Sequence, residues 1–304
     1  MRWPHYEHVF FDCDSTLTTV EGIDILADSA GKRWRVEVLT QAAMDGDRDL
    51  EDIYDKRLRA LKPTHQQIRD IRRAYKQHIV EDAKESIDVL QELGHQVYII
   101  SGGLLEPVRE FGIYLGVPAG NIRAVGVEYN ELSGEWWGGG DEQYLTFDDG
   151  ALTISDGKAV IVKELMAEKH GRSLLVGDGY SDLLAGRAVN LFVGFGGVVQ
   201  RSRVSQEAPI FLQSSSIAPI LAIAAGPAAV SNLNDTLHED LGQKSLELIK
   251  RGAIKFNDER YRDRFSSAID AAFQALQSGP EGAADGDPGR PDALDDWASH
   301  SRLL

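Results

Sequence analysis

Short apolar runs that end in polar or glycine-rich residues punctuate this chain. Val9-Phe10-Phe11 stops at Asp12, Val97-Tyr98-Ile99-Ile100 at Ser101-Gly102-Gly103, and Leu174-Leu175-Val176 at Gly177-Asp178-Gly179. Leu191-Phe192-Val193-Gly194-Phe195 runs into Gly196-Gly197. Continuous apolar runs of this length, bounded by turn residues, predict strands buried on both faces. Between them the period lengthens: Ser86 to Leu93 reads as a helix stopped by Gly94, and a second helix is predicted from near Lys158 to Gly171. Strands alternating with helices predict a parallel sheet of at least four strands with helices on both faces.

Three stretches break this rhythm. From about 20 to 79 the strand signals vanish; Leu50, Ile53, Tyr54, Leu58 and Leu61 recur at helical spacing, and Thr64 with Gln67 predicts a capping box opening another helix. Ile122 to Tyr129 and the residues around Leu132 to Trp136 predict a short antiparallel ribbon. After 224, Thr236 and Glu239 predict a capping box for a helix to about Arg251. Tyr261, Phe265, Ala268, Ile269, Ala272, Phe273 and Leu276 then share one face of a further helix. Packing on its own domain is the first expectation for that face, and a surface for a second copy the alternative. From 279 onward Gly, Pro, Ala and Asp dominate and acidic residues outnumber basic ones six to two, the composition of a disordered tail. The expected organisation is a core over 1–19 and 80–224, an inserted helical unit over 20–79, a helical extension over 225–278, and the tail.

Composition narrows the class. With 304 residues, 42% hydrophobic and 26% charged, most of the chain is expected to fold. A net charge of −16 argues against nucleic acid or an anionic membrane as partner. The longest apolar run, 217–230, is cut by Pro219, Gly226 and Pro227 and is too short to span a bilayer. Met1 to His8 carries no apolar leader, and the single Cys13 fits a reducing compartment, the cytoplasm by default. Cys13 is expected to be a small buried filler, because Asp12 and Asp14 raise its thiol pKa. His5 and His8 stand three apart, but the other six histidines show no ligand pattern and no zinc site is expected; Gly194-Phe195-Gly196-Gly197 lacks the strand-turn-helix setting of a dinucleotide site.

The candidate chemistry sits at the strand ends, where open parallel sheets bind ligands. Asp12 and Asp14 project to one side of the chain with Cys13 turned to the other. Taken alone, the pair reads equally as an aspartate-rich turn. Asp178 and Asp182 read alone as a turn and a helix first-turn acid, and Lys158 as a solvated helix-start residue. Together, however, these residues and Ser101-Gly102-Gly103 form a set of carboxylates, one lysine, one hydroxyl and glycine amides. Magnesium and a phosphate monoester would balance that set. Asp12 and Asp178 supply direct metal ligands, Asp14 its carbonyl, and Asp182 orients a metal-bound water. Asp12 is the candidate nucleophile, Asp14 the acid and base, and Lys158 a neutralising charge; Ser101, Gly102 and Gly103 hold phosphate oxygens.

The same segments, Phe11 to Thr18, Ile100 to Gly103, Lys158 and Gly177 to Asp182, resemble the haloacid dehalogenase superfamily of aspartate-nucleophile phosphatases. Glu21-Gly22-Ile23-Asp24, Ala43-Met44-Asp45-Gly46, Lys56-Arg57-Leu58 and Phe195-Gly196-Gly197-Val198-Val199 look most like its phosphoserine phosphatase branch. The resemblance spans about residues 8 to 213 and implies a Rossmann-like α/β core with a small helical cap inserted after the first strand. It implies that Glu21 recognises a substrate ammonium, that Arg57 holds its carboxylate, and that Met44 helps seal the site. Ser181 stands where relatives carry Asn or Thr, and inherits from them a hydrogen bond to substrate. Leu104 replaces a frequent aromatic residue. The leading expectation is magnesium-dependent hydrolysis of phosphoserine in the cytoplasm. Two alternatives stand beside it: another small phosphate or transfer to an alcohol, and an interaction protein using the C-terminal extension.

Overall fold

The computed structural model describes residues 3–31, 50–130, 143–148, 150–233 and 238–278. Strand β1 (His8–Phe11) lies at the centre of a seven-stranded sheet of order β3-β2-β1-β6-β7-β8-β9. Its neighbours are β2 (Gln96–Leu104) and β6 (Ser173–Gly177), both parallel, with Phe11 level with Ile99 and Val176. Every residue of β1, β6 and β7 (Leu191–Phe195) is buried, as expected for strands covered on both faces.

Between β1 and β2 the chain makes a helical excursion of α1 (Gly22–Ser29), α2 (Leu50–Leu61) and α3 (His65–Gln77). The predicted capping box opens α3: Gln67 N–H donates to Thr64 Oγ1 at 3.2 Å, and Thr64 N–H to Gln67 Oε1 at 2.8 Å. Ile68, Ile71 and Tyr75 form its buried stripe. The two ends of the excursion are tied together, Thr19 N–H to His78 O at 2.7 Å and Val80 N–H to Leu17 O at 3.0 Å. Helix α4 (Ala83–Glu92) then leads into β2, and α5 (Leu105–Tyr114) follows it.

Strand β2 continues through Ser101, Gly102 and Gly103 to Leu104, because Leu104 pairs with Val125 after a register shift. Ile122–Val125 is not part of a ribbon: it is β3, the parallel edge strand beside β2. The antiparallel ribbon is β4 (Val127–Asn130) with β5 (Gln143–Phe147), so the second arm lies further along the chain than Leu132–Trp136. Residues 131–142 are outside the described set. Helix α6 (Gly157–Met166) ends before Gly171; its last amides tighten to the third residue back, and His170 O instead accepts from His8 Nε2 at 2.8 Å.

After β6 come α7 (Tyr180–Ala185), β7, α8 (Ser202–Glu207) and β8 (Ile210–Leu212). Two short helices, α9 (Pro219–Ala224) and α10 (Pro227–Ser231), precede α11 (Glu239–Lys250). Thr236 lies outside the described residues, but the predicted capping box does not open α11: His238 is the N-cap and Glu239 the first helical residue rather than the third. The extension also contributes β9 (Ile254–Phe256), which pairs antiparallel with β8. The apolar face of α12 (Glu259–Ser278) packs within the chain: Phe265 is buried with its ring 4.7 Å from that of Trp3, whose indole donates to Ile223 O. No described helix is long and apolar enough to cross a membrane.

Candidate active site

The sheet register brings the chemistry together. Asp12 is one residue past Phe11, and Ser101 and Asp178 are two past its neighbours Ile99 and Val176. Asp12 N–H still donates to Val176 O at 2.9 Å, so its backbone belongs to the sheet while its side chain leaves it. The chain then folds around Cys13, whose carbonyl accepts from the amides of Thr16, Leu17 and Thr18. Ser15 takes φ 55, a left-handed conformation rare outside glycine and common at constrained sites. Cys13 is fully buried, and burial with the adjacent Asp14 and Asp12 charges pushes its thiol up, as expected of a filler.

Asp14 turns its carboxylate toward the helical excursion. Its Oδ1 accepts from the Tyr75 hydroxyl at 2.5 Å and from Gly22 N–H at 3.2 Å. Lys158, in the first turn of α6, places Nζ 2.7 Å from Asp12 Oδ1 and 2.6 Å from Asp182 Oδ1. Gly157 makes that start possible, since a Cβ there would fall 1.3 Å from Ala151 O. Gly177 does the same for Asp182, whose Cγ is 2.3 Å from where a Cβ would be, while Gly179 N–H donates to Asp182 Oδ2.

Oxygens of Asp12, Asp178 and Asp182, all buried, lie within 4.8 Å of one another, a donor set that could hold a metal. Oxygen-only carboxylate ligands suit a hard divalent cation. The Asp14 side chain is not in this cluster; its Oδ1 is taken by Tyr75 and Gly22. Burial raises Asp178 and Asp182, because like charges crowd a dry site; a cation there would reverse that. Burial also lifts Asp14 to about 7, against the Tyr75 hydrogen bond and reinforced by the Asp12 charge. For Lys158 burial works against the charge, but Asp12 and Asp182 outweigh it and hold its pKa above the ordinary lysine range.

A cleft of about 880 Å³, counting its open mouth, lies over these groups. It is lined by Asp12, Asp14, Ser101, Gly102, Gly103, Lys158 and Ser181 from the strand-end side and by Glu21 and Arg57 from the excursion. Ser101 Oγ accepts from Gly103 N–H at 2.9 Å. Leu104 also lines it, while Asp178 and Asp182 lie in the buried carboxylate cluster beside Asp12. Met44 lies outside the described residues. Burial raises Glu21 to about 7, and its Oε1 accepts from Ser15 Oγ and Arg201 Nη2.

Arg201 was not singled out from sequence. Its Nε donates to Asp178 Oδ2 at 2.9 Å and its Nη2 lies 3.2 Å from Glu21 Oε1, so one guanidinium joins the buried carboxylate cluster to the excursion. The available signal was position, a basic residue just beyond the glycines that end β7. Thr16, whose hydroxyl donates to Asp178 Oδ1 at 3.4 Å, and Tyr75 were also missed.

Residues 9–187 match the family model of haloacid dehalogenase-like hydrolases. Phosphoserine phosphatase of Drosophila melanogaster is 36% identical over 210 residues, covering 67% of this chain and 73% of that protein. Among solved structures, a phosphoserine phosphohydrolase-like protein from Francisella tularensis superposes with a TM-score of 0.61 at 25% identity, covering 68% of this chain and 95% of that one. A phospho-aspartyl intermediate analogue of phosphoserine phosphatase gives the same TM-score at 23% identity, covering 71% and 98%, a likeness of fold.

Proposed function

The chain belongs to the haloacid dehalogenase-like hydrolases and is a phosphatase resembling phosphoserine phosphatases, and we propose that it hydrolyses phosphoserine to serine and phosphate through a phosphorylated Asp12. The observation that carries this reading is the placement of Glu21 and Arg57 in the same cleft as Asp12, Ser101 and Lys158. A guanidinium offers a fork to a carboxylate and a glutamate attracts an ammonium, the two groups that phosphoserine adds to a simple alkyl phosphate. The helical excursion acts as a cap that presents them.

Asp12 attacks phosphorus; the new O–P bond forms as the bond to the leaving oxygen breaks, and Asp14 gives that oxygen its proton. Water then attacks the acyl phosphate, Asp14 takes its proton, the bond to Asp12 breaks, and inorganic phosphate leaves. Burial raises the Asp14 carboxyl, which favours the protonated form that the leaving oxygen needs. Lys158 holds Asp12 in place and offsets charge, while Ser101 and the Gly102 amide hold phosphate oxygens and the Gly103 amide, donating to Ser101 Oγ, aims that hydroxyl. Asp12, Asp178 and Asp182 would hold magnesium, with the Asp14 carbonyl as a further ligand; bound there, the ion supplies charge neutralisation. Ser181, on the cleft wall, adds a hydroxyl toward substrate.

The test is phosphate release from phosphoserine, phosphoethanolamine, 3-phosphoglycerate and sugar phosphates, with magnesium and with chelator. Phosphoserine should be preferred over the two compounds that each lack one charged group, and chelator should stop turnover. Asp12→Asn should be inactive with an unchanged fold. A sugar phosphate preferred over phosphoserine would overturn the substrate assignment, and turnover by Asp12→Asn the mechanism.

A further inference from the structure

Tyr75 belongs to the buried stripe of α3, yet it does more than fill the core. Its ring is fully buried and packs 5.3 Å from the ring of Phe111 on α5, so the hydroxyl is aimed by packing. That hydroxyl donates to Asp14 Oδ1, which also accepts from the amide of Gly22 at the start of α1. Both donors come from the excursion, and both take the same oxygen. The other, Oδ2, lies on the side of Gly103, where a Cβ would meet it at 2.9 Å, and Gly103 lines the cleft. Anchoring Oδ1 therefore leaves Oδ2 as the oxygen turned toward the reacting groups.

The approach of Tyr75 also explains the residue that opens α1. A Cβ on Gly22 would lie 2.5 Å from the Tyr75 hydroxyl but 3.4 Å from the ring carbon that bears it. Glycine at 22 is thus matched to a tyrosine, rather than a phenylalanine, at 75.

We propose that Tyr75 is a positioning residue for proton transfer: with the Gly22 amide it clamps Asp14 Oδ1 from the helical excursion, so that Asp14 Oδ2 is held toward the leaving oxygen. The inference rests on the acid and base role of Asp14 given above. Side chains that work through another group need to be held to within a few tenths of an ångström, so loss of one anchor costs rate rather than binding.

The experiment uses the full chain with magnesium and an alkyl phosphate that it turns over, phosphoserine in the reading above. Tyr75→Phe should lower kcat about tenfold, a part of the roughly 10²–10⁴-fold that a positioned acid and base contribute, with KM changed by less than about twofold. With enzyme in excess, release of the alcohol should slow by about tenfold and release of 4-nitrophenolate from 4-nitrophenyl phosphate by less than about twofold, because that leaving group needs little protonation. Gly22→Ala should lower kcat in the parent chain and lower it less in the Tyr75→Phe background, where the clashing oxygen is gone. Equal losses with both leaving groups, an unchanged kcat in Tyr75→Phe, or equal cost of Gly22→Ala in both backgrounds would each overturn the proposal. Asp14→Asn, run alongside, separates the two levels: activity retained there defeats the acid and base role itself.

Discussion

The ammonium of Lys158 lies 2.7 Å from Asp12 Oδ1, and both side chains are buried. It is also 2.6 Å from Asp182, so a single cation is shared between two carboxylates that would otherwise face each other in a dry site. Removing one partner of such a set leaves the rest uncompensated, which costs roughly 3–5 kcal/mol. Lys158→Met should therefore destabilise the chain by about that amount without divalent metal, and by less with saturating magnesium, because carboxylates freed of the lysine charge bind the cation more tightly than those that share it. Urea denaturation with and without magnesium reads both; a loss that magnesium leaves unchanged would count against Asp12 and Asp182 sharing a metal site.

Arg57 and Glu21 line the cleft from the helical excursion while Asp12, Ser101 and Lys158 line it from the sheet. Interactions made to the serine body should be lost for phosphoserine and absent for an aryl phosphate. Arg57→Ala and Glu21→Ala are expected to reduce kcat/KM for phosphoserine by at least about tenfold each, the equivalent of 1.4 kcal/mol, and to leave 4-nitrophenyl phosphate within about threefold. Parallel losses on both substrates would remove the basis for the substrate assignment.

His95 connects acid pH to stability at the other end of the sheet. Its Nδ1 donates to Tyr6 O at 2.6 Å, and its ring stacks on that of His5 at 4.3 Å. Nε2 is buried and makes no hydrogen bond among the described residues, so a proton there would have no acceptor. Burial pushes its pKa down from 6.5 to about 4, against the Tyr6 hydrogen bond; His5 adds to the depression and Glu7 opposes it. The unfolded chain takes up this proton first as pH falls through 6.5, so native stability drops until pH reaches about 4 and then levels. The full span amounts to about 3 kcal/mol. His95→Asn, which keeps a donor for Tyr6 O, should show a smaller fall in unfolding free energy between pH 7 and pH 4.5. The same fall in both proteins would place the acid sensitivity elsewhere.

How far each residue could be read from the sequence follows the distance over which its role acts. Asp12, Ser101 and Asp178 each end an apolar run, a pattern visible within a few positions, and the parallel register then sets them side by side. Arg201 and Tyr75 act across long separations. Tyr75 reaches Asp14 from 61 residues away, and in the helical pattern its ring counts as one more apolar position while its hydroxyl goes unread. Strand β9 was missed for a related reason: three residues, Ile254–Phe256, carry too little alternation to signal a strand, and their pairing with β8 comes from packing. Ile122–Val125 looked like half of a hairpin because local pattern cannot say which neighbour a strand will choose.

By itself, then, the sequence determined the alternation of buried strands and helices, the helical excursion after the first strand, and the acidic, glycine-rich strand ends, all properties of short windows. Tertiary structure alone decided that Arg201 joins Asp178 to Glu21, that Lys158 is shared between Asp12 and Asp182, and that Tyr75 and Gly22 grip one oxygen of Asp14. Such links depend on where side chains from separate elements meet, and those meetings are set by the packing of the whole core rather than by any neighbour along the chain.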